Sequence, residues 1–203
     1  MAATLLLAST SPYRRRLLER LGLPFAVESP RVDERALPGE GPAERALRLA
    51  RAKAAAVAAR HPKSLVLGSD QVADCDGTVL GKPGDAAQCR RQLQLSSARA
   101  VHFHTAAVLV RADPATAQEH LDLTVVRFRQ LAKEQIARYV ELEAPFDCAG
   151  GFRCEGLGVA LFESVETRDP TALVGLPLIW VAAALRAAGL DPLTAAAIFP
   201  AAS

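Results

Sequence analysis

Two charged side chains in the middle of the chain have the types and spacing of a site that handles phosphate. Asp70 comes shortly after the apolar run Leu65–Leu67, and Lys82 follows a predicted hairpin at Asp76-Gly77. Such a hairpin would return Lys82 to the neighbourhood of Asp70. A carboxylate for a metal or a water, beside a cation for an anionic substrate, indicates phosphoryl chemistry. A capping aspartate and a solvated lysine are the alternative.

The apolar run also predicts where Asp70 lies. Leu65–Leu67 is typical of a buried strand, and Gly68 is expected to end it. In open α/β sheets, ligand crevices form just beyond the ends of buried strands. The sequence therefore predicts Asp70 in a cleft, past the end of its strand.

A second group of candidates lies near the start of the chain. Thr4–Ala8 predicts a buried strand, and Ser9–Pro12 has the hydroxyls and the proline of a helix start. The first turns of that helix contain Arg14–Arg16, where the helix dipole normally favours acidic residues. These arginines are unfavourable unless an anion binds there, so we predict a phosphate cradle without the glycines of a P-loop. A solvated basic face is the alternative.

Glu34 and Lys53 are further candidates in the N-terminal third. Glu34 follows Asp33 in a loop, and either carboxylate can hold a hard cation such as Mg²⁺, which prefers oxygen ligands. Simple surface exposure explains these acids as well. Lys53 lies on the apolar stripe of a predicted helix, Ala43–Arg60. A lysine in that position either extends its amine to solvent or reaches an anion in a cleft.

Several further elements must position these residues. The patterns predict a mixed sheet with helices packed around it, and a long antiparallel hairpin in the second half of the chain. The predicted helices are Asp85–Leu95, Leu131–Glu141 and Leu178–Ala188, and the predicted strands are Phe25–Glu28, Val101–Val110, Leu121–Phe128 and Leu157–Glu163.

Composition narrows the functional classes. A length of 203 residues is enough for one substantial core, and a net charge of +2 does not indicate a surface for nucleic acid. The four cysteines lack zinc-binding spacing, which favours free thiols in a reducing compartment. The N-terminal apolar run is too short for a signal peptide or a membrane span. We expect a cytoplasmic protein that forms no stable complex with membranes or nucleic acid.

The motifs, taken in order, resemble those of the Maf nucleoside triphosphate pyrophosphatases. They span nearly the whole chain in the family's order. The segments that carry the likeness are Leu7–Leu18 (LASTSPYRRRLL), Val32–Glu34 (VDE), the helix around Lys53, Gly68–Val72 (GSDQV), Gly81–Pro83 (GKP), Cys148–Gly158 (CAGGFRCEGLG) and Ala172–Pro177 (ALVGLP).

The resemblance implies a fold and an activity. The fold would be a Maf-like, inosine-triphosphatase-like α/β domain over residues 1–203, with a twisted mixed sheet flanked by helices and two lobes around a central cleft. The activity would be hydrolysis of a small nucleotide, a nucleoside triphosphate, to its monophosphate and pyrophosphate, with Mg²⁺ or Mn²⁺ as cofactor. The family also suggests a homodimer.

The resemblance places the general base of the family on Asp70. We expect water attack at the α-phosphorus, with Asp70 and Glu34 as ligands of the metal. The residues expected to bind the triphosphate are Ser9, Arg14, Lys53 and Lys82.

Tyr13, Gln71 and Glu155 resemble the subfamily that acts on 7-methyl-GTP. Methylation at N7 makes guanine cationic, and a cation over an aromatic face gains roughly 0.5–2 kcal/mol. Tyr13 is suited to provide that face, and Glu155 to accept hydrogen bonds from the donor edge of guanine. Gln71 would either contact the base or hold the catalytic region in register.

Two residues in the specificity loop depart from the family pattern, since Arg153 replaces an expected Lys and Gly151 an expected Ser. These departures bear on base preference more than on reaction type. The alternatives are a pyrophosphatase for pyrimidine or other modified triphosphates, a non-catalytic nucleotide-binding regulator of division, and a phosphatase that releases orthophosphate.

Overall fold

A computed structural model describes residues 4–194, so both ends of the predicted domain 1–203 lie outside the described residues. The strands are β1 Leu5–Ala8, β2 Phe25–Val27, β3 Leu65–Cys75, β4 Thr78–Leu80, β5 Ala100–Arg111, β6 Thr116–Phe128 and β7 Phe162–Glu166. The helices are α1 Pro12–Glu19, α2 Pro42–Ala58, α3 Ala86–Ser96, α4 Lys133–Glu143 and α5 Leu178–Ala187. Within the described range, no helix has the length and apolarity needed to cross a membrane.

The strands form one mixed sheet in the order β2-β1-β3-β5-β6-β7, with β4 paired to β3. Strand β1 is parallel to both β2 and β3, whereas the pairs from β3 to β7 are antiparallel. The last residue pair between β1 and β3 is Ala8 with Gly68. Beyond that pair, β3 continues to Cys75 alongside β5.

The predicted end of β3 at Gly68 is therefore wrong. Asp70 lies inside the strand, opposite Ala106 of β5, and is not beyond the strand's end. The polar pair Asp70 and Gln71 interrupts the apolar run, but pairing with the distant strand β5 keeps the backbone extended. A cleft still forms at Asp70, because β1 has ended and β3 has lost its parallel neighbour there.

The two largest hydrophobic clusters of the described residues correspond to the two predicted lobes. One core packs β1 and the first part of β3 against α1 and α5, through residues such as Leu7, Leu18 and Leu185. The other packs β5 and β6 against α3, α4 and the loop after α4, and it includes Phe103 and Phe152 in edge-to-face contact at 5.4 Å between ring centroids. The predicted mixed α/β fold is confirmed.

Most predicted elements differ from the observed ones by only a few residues, and the Asp76-Gly77 hairpin is confirmed. Both turn residues have positive φ, 49° and 80°, as a two-residue hairpin requires. The predicted strand Leu157–Glu163 is wrong in its first part, because Leu157–Leu161 forms a 3₁₀ turn and β7 starts at Phe162. The amide of Gly158 folds back onto the carbonyl of Arg153 (3.1 Å), which prevents an extended backbone.

Helix α2 lies directly on β3 at Gly68. A Cβ atom at this glycine would lie 2.5 Å from the carbonyl oxygen of Ala50 and 2.7 Å from the amide nitrogen of Ala54. The two backbones thus approach more closely than any side chain permits. This approach brings Lys53, the residue before Ala54, beside Asp70.

The substitution Gly68→Ala tests this close approach. We expect it to lower the free energy of unfolding by about 3 kcal/mol, because the methyl group collides with backbone atoms that cannot move independently of α2. Urea unfolding followed by circular dichroism measures the change. The matched control is Gly81→Ala, since a Cβ atom there meets nothing within 4 Å. Equal stability of the two variants would contradict the prediction.

Candidate active site

A cavity of about 700 Å³ lies between the two lobes, and all of the predicted site residues line it. They come from six separate segments of the chain, which the fold brings together in one cavity. The residues are Ser9, Tyr13, Arg14, Glu34, Lys53, Asp70, Gln71, Lys82 and Glu155. Their individual roles stay predictions.

The centre of the cavity is an ion pair between Lys53 and Asp70. The Nζ atom of Lys53 lies 2.6 Å from Oδ1 of Asp70 and 2.9 Å from Oε1 of Glu34. Lys53 and Asp70 are buried, at 5% and 6% exposure, whereas Glu34 is exposed. Of the two interpretations of Lys53, contact with an anion in a cleft is therefore correct.

Arg14 is the only member of the predicted Arg14–Arg16 cradle that lines the cavity. Its Nε donates to the carbonyl oxygen of Gly175 at 2.9 Å. Burial lowers the pKa of Arg14, while the nearby charges of Asp70 and Glu34 act to raise it. Arg15 and Arg16 are exposed, so the solvated alternative holds for them.

Hydroxyl groups already occupy part of the α1 N-terminus. The Ser9 Oγ accepts from the amide of Ser11 at 3.1 Å, and the Ser11 Oγ accepts from the amide of Arg14 at 3.4 Å. Ser9 is itself buried in the wall of the cavity. An anion at the N-terminus of α1 would therefore meet mainly charged side chains and hydroxyl groups, because the side-chain hydroxyls of Ser9 and Ser11 already bind two of the backbone amides.

Lys82 lies just past β4, lines the cavity and is exposed. Within residues 4–194 its ammonium has no carboxylate partner within 4 Å, unlike that of Lys53. Lys82 can therefore meet a phosphate without giving up an ion pair within the protein.

A divalent metal fits the donor chemistry of Glu34 and Asp70. Mg²⁺ is commonly bound through one or two carboxylates, with waters and substrate phosphates completing its shell. In the described part of the chain, no group of three or more His, Cys, Asp or Glu side chains is placed to hold a metal by itself. The two carboxylates thus suit a metal whose shell is completed by the nucleotide.

Gln71 anchors the segment that precedes Gly175. Its Nε2 donates to Thr105 Oγ1 at 2.9 Å and to the carbonyl oxygens of Ala172 and Leu173 at 3.0 and 3.1 Å. These contacts favour the interpretation that Gln71 holds the catalytic region in register. Its amide nitrogen is already engaged, and so is not free to donate to a base.

Tyr13 and Glu155 face the same end of the cavity. The Tyr13 hydroxyl lies within 3.3 Å of both carboxylate oxygens of Asp147 and accepts from Nε of Arg153 at 3.0 Å. Glu155 is exposed and accepts from the thiol of Cys154 at 3.2 Å. This end combines an aromatic ring with a carboxylate, as a donor-rich cationic base requires.

Two residues of the site were missed from sequence. Arg45 lines the cavity and donates to the backbone carbonyl of Glu34 at 2.9 Å. Its spacing of i, i+4 and i+8 with Leu49 and Lys53 was the available signal. Asp147 also lines the cavity, and only its position next to the Cys148–Gly158 motif pointed to it.

A family model described as "Maf-like protein" matches residues 4–188. The chain belongs to the Maf family.

Three Maf relatives, each named "7-methyl-GTP pyrophosphatase", illustrate the similarity. The protein of Xanthomonas campestris pv. campestris is 56% identical over 191 residues, covering 94% of this chain and 99% of the relative. That of Xanthomonas oryzae pv. oryzae is 54% identical, covering 93% and 98%. That of Albidiferax ferrireducens is 51% identical, covering 94% and 96%.

Among solved structures, the Ham1 protein of Staphylococcus aureus aligns with 76% of this chain and covers 89% of its own. Its TM-score is 0.45 at 13% sequence identity, too low to support an argument about this Maf protein's function.

The substitution Lys53→Met tests the central ion pair. It should lower the free energy of unfolding by about 3–5 kcal/mol, because Asp70 is left buried without its partner. Adding Asp70→Asn should recover much of that loss. Urea unfolding of the two variants measures both effects.

Arg51→Met is the matched control, since Arg51 makes an exposed ion pair with Glu119 at 2.6 Å from the same helix. An exposed pair contributes about 0–1 kcal/mol. If Lys53→Met costs no more than this control, the buried pair does not have the strength assigned to it.

Proposed function

We propose that this Maf protein hydrolyses 7-methyl-GTP to 7-methyl-GMP and pyrophosphate. The observation that carries the proposal is the composition of one cavity. Asp70, Arg14, Lys53 and Lys82 line it together with Tyr13 and Glu155. The names of the relatives at 51–56% identity agree with this substrate.

Asp70 is the proposed general base for water attack at the α-phosphorus. Lys53 binds Oδ1 of Asp70 at 2.6 Å, and within residues 4–194 the other oxygen, Oδ2, makes no hydrogen bond. The ion pair thus holds the carboxylate in a fixed orientation, with one oxygen left for the proton of the water. A base held in this way contributes roughly 10²–10⁴-fold to the rate.

The cations around Asp70 are suited to the triphosphate. Arg14 and Lys82 line the same cavity as Asp70, and Ser9 adds a hydroxyl. Fixed positive charges stabilise the negative charge that develops on the departing pyrophosphate. Mg²⁺ or Mn²⁺ held by Glu34 and Asp70 would supply Lewis acidity toward the phosphate oxygens.

The end of the cavity that Tyr13 and Glu155 line is suited to bind a methylated guanine. The ring of Tyr13 suits the cationic base, and the Glu155 carboxylate suits its N1–H and exocyclic amine. The departure at Gly151 does not touch this end, because Gly151 is buried outside the cavity wall. Its φ of 73° and its closeness to Cys89, 3.1 Å from a Cβ atom built there, disfavour a serine.

Four further expectations are part of the proposal. The family likeness suggests a homodimer, the four cysteines without zinc-binding spacing suggest a cytoplasmic location, and the near-neutral charge of +2 disfavours stable nucleic-acid complexes. A single domain over 1–203 is supported by the match of the family model to residues 4–188.

A panel of nucleoside triphosphates tests the proposed function. With Mg²⁺ or Mn²⁺ supplied, pyrophosphate release should be fastest from 7-methyl-GTP, slower from GTP, dTTP and UTP, and abolished by a chelator. Preference for a pyrimidine would favour the alternative substrate class. Orthophosphate as product would indicate a phosphatase, and binding without turnover would indicate a regulator.

Asp70→Asn should lower kcat by about 10²–10⁴-fold, because the amide cannot accept the proton of the attacking water. Circular dichroism should report an unchanged fold, since the amide still accepts a hydrogen bond from Lys53. Pyrophosphate release at saturating 7-methyl-GTP measures the effect. An Asp70→Asn variant with wild-type kcat would remove Asp70 from the mechanism.

A further inference from the structure

The hydroxyl of Tyr13 has no hydrogen left to donate to a substrate. A phenol has one hydrogen to donate and two acceptor positions. Its hydrogen points to the Asp147 carboxylate, at 3.2 and 3.3 Å, while Arg153 Nε donates to the oxygen at 3.0 Å and Cys148 Sγ lies 3.4 Å from it. Tyr13 therefore presents its ring to the cavity, and its hydroxyl belongs to the protein.

The partners of that hydroxyl come from the opposite lobe. Tyr13 lies in the first turn of α1, whose Leu17 and Leu18 pack in the core with β1 and α5. Asp147 and Arg153 lie in the loop after α4, which packs through Phe152 in the other core. The contacts of the Tyr13 hydroxyl therefore join the two lobes across the cleft.

Arg153 is itself held at several points. Its backbone amide donates to the hydroxyl of Tyr139 at 3.0 Å, and its Nη1 donates to the carbonyl oxygen of Glu143 at 3.1 Å. Its Nη2 donates to Oδ1 of Asp147 at 3.3 Å. A guanidinium can serve three partners along its edges in this way, whereas a lysine offers a single point charge.

The charge state of Asp147 suits this arrangement. Desolvation alone would raise its pKa, but hydrogen bonds from Arg153, Cys148 and Tyr13 outweigh that effect and lower the pKa below its ordinary value. Asp147 therefore stays ionised at neutral pH and accepts from both Tyr13 and Arg153.

We propose that Asp147 and Arg153 are positioning residues that hold the ring of Tyr13 in place as the platform for the base. The inference rests on the proposed function, because it assigns the base end of that cavity. Arg153 lies outside the cavity lining and reaches it through two residues that do line it, Tyr13 and Asp147. Asp147 fixes the same hydroxyl from the cavity side.

The first test follows the phenol of Tyr13 and needs no substrate. In the wild type, burial is the main cause that raises the pKa of Tyr13 well above its ordinary value of 10.0. Asp147→Ala should lower that pKa, because it removes a nearby negative charge, while burial and Cys148 still hold the pKa above 10.0. Ultraviolet absorbance of the phenolate against pH measures it. The chain has two tyrosines, so Tyr13→Phe identifies the signal of Tyr139.

The second test is kinetic. Asp147→Ala and Arg153→Lys should raise KM for 7-methyl-GTP by about 2- to 30-fold, the range expected for a lost cation–aromatic contact. The value of kcat should change by less than about twofold, and KM for GTP should stay near that of the wild type. A loss of stability alone would affect both nucleotides equally. Arg138→Lys, at an exposed ion pair with Glu141 on α4, is the matched control.

The third test asks whether Arg153 acts through Tyr13. Tyr13→Phe keeps the ring but loses the hydroxyl, so it should raise KM as Arg153→Lys does. The double variant Tyr13→Phe/Arg153→Lys should be no worse than Tyr13→Phe alone, because residues that act through one contact are not additive. Urea unfolding confirms that each variant is folded before kinetics.

The outcomes distinguish a failure of the positioning role from a failure of the proposed function. A wild-type enzyme that releases no pyrophosphate from 7-methyl-GTP would overturn the proposed function. An unchanged Tyr13 pKa in Asp147→Ala would overturn the positioning contact, whatever the substrate. With an active wild type, equal KM changes for both nucleotides, or additive effects in the double variant, would overturn the positioning role.

Discussion

The buried ion pair between Lys53 and Asp70 constrains the whole cleft. A charge out of water must have a partner close by, since an isolated one is very unfavourable. The two partners lie on different elements, α2 and β3, so these elements must pack at one fixed distance. Gly68 makes that distance possible, because any side chain there would collide with Ala50 and Ala54. The position of the proposed base therefore depends on a residue that has no chemistry of its own.

The same helix also determines where Glu34 lies. Glu34 is in a loop between β2 and α2 without sheet partners, and its side chain is exposed. Arginines of α2 hold this loop: Arg45 donates to the carbonyl of Glu34, and Arg48 to that of Arg35 at 3.0 Å. Arg48 also pairs with Glu40 at the far end of the loop. The exposed acid of the cleft is thus attached to the element that provides the buried lysine.

Local sequence patterns predicted which residues line the cleft more accurately than they predicted the lengths of the surrounding strands. The helix start at Ser9–Pro12, the apolar stripe that contains Lys53 and the turn at Asp76-Gly77 are short-range signals, and each led to the correct element. The length of β3 was not predictable in this way, because its second half is extended only through pairing with β5, which lies far along the chain. Asp70 was correctly expected in a cleft although its place in the strand was wrong, since the cleft arises where β1 stops.

The roles proposed for Tyr13 and Arg153 depend on contacts that local sequence patterns do not predict. Sequence can identify a tyrosine at a base site, but whether the hydroxyl or the ring meets the base depends on the hydrogen-bond partners that folding supplies. The network around Tyr13 comes from residues more than 130 positions away, and no spacing rule relates them. Arg153 departs from the lysine of the family pattern, yet its guanidinium reaches Tyr13, Glu143 and Asp147 at once. A lysine ammonium lacks the planar fork that these three directions require. Arg153 in place of the family's lysine is therefore expected to fix the ring of Tyr13 more rigidly, without changing the residues proposed to contact the base.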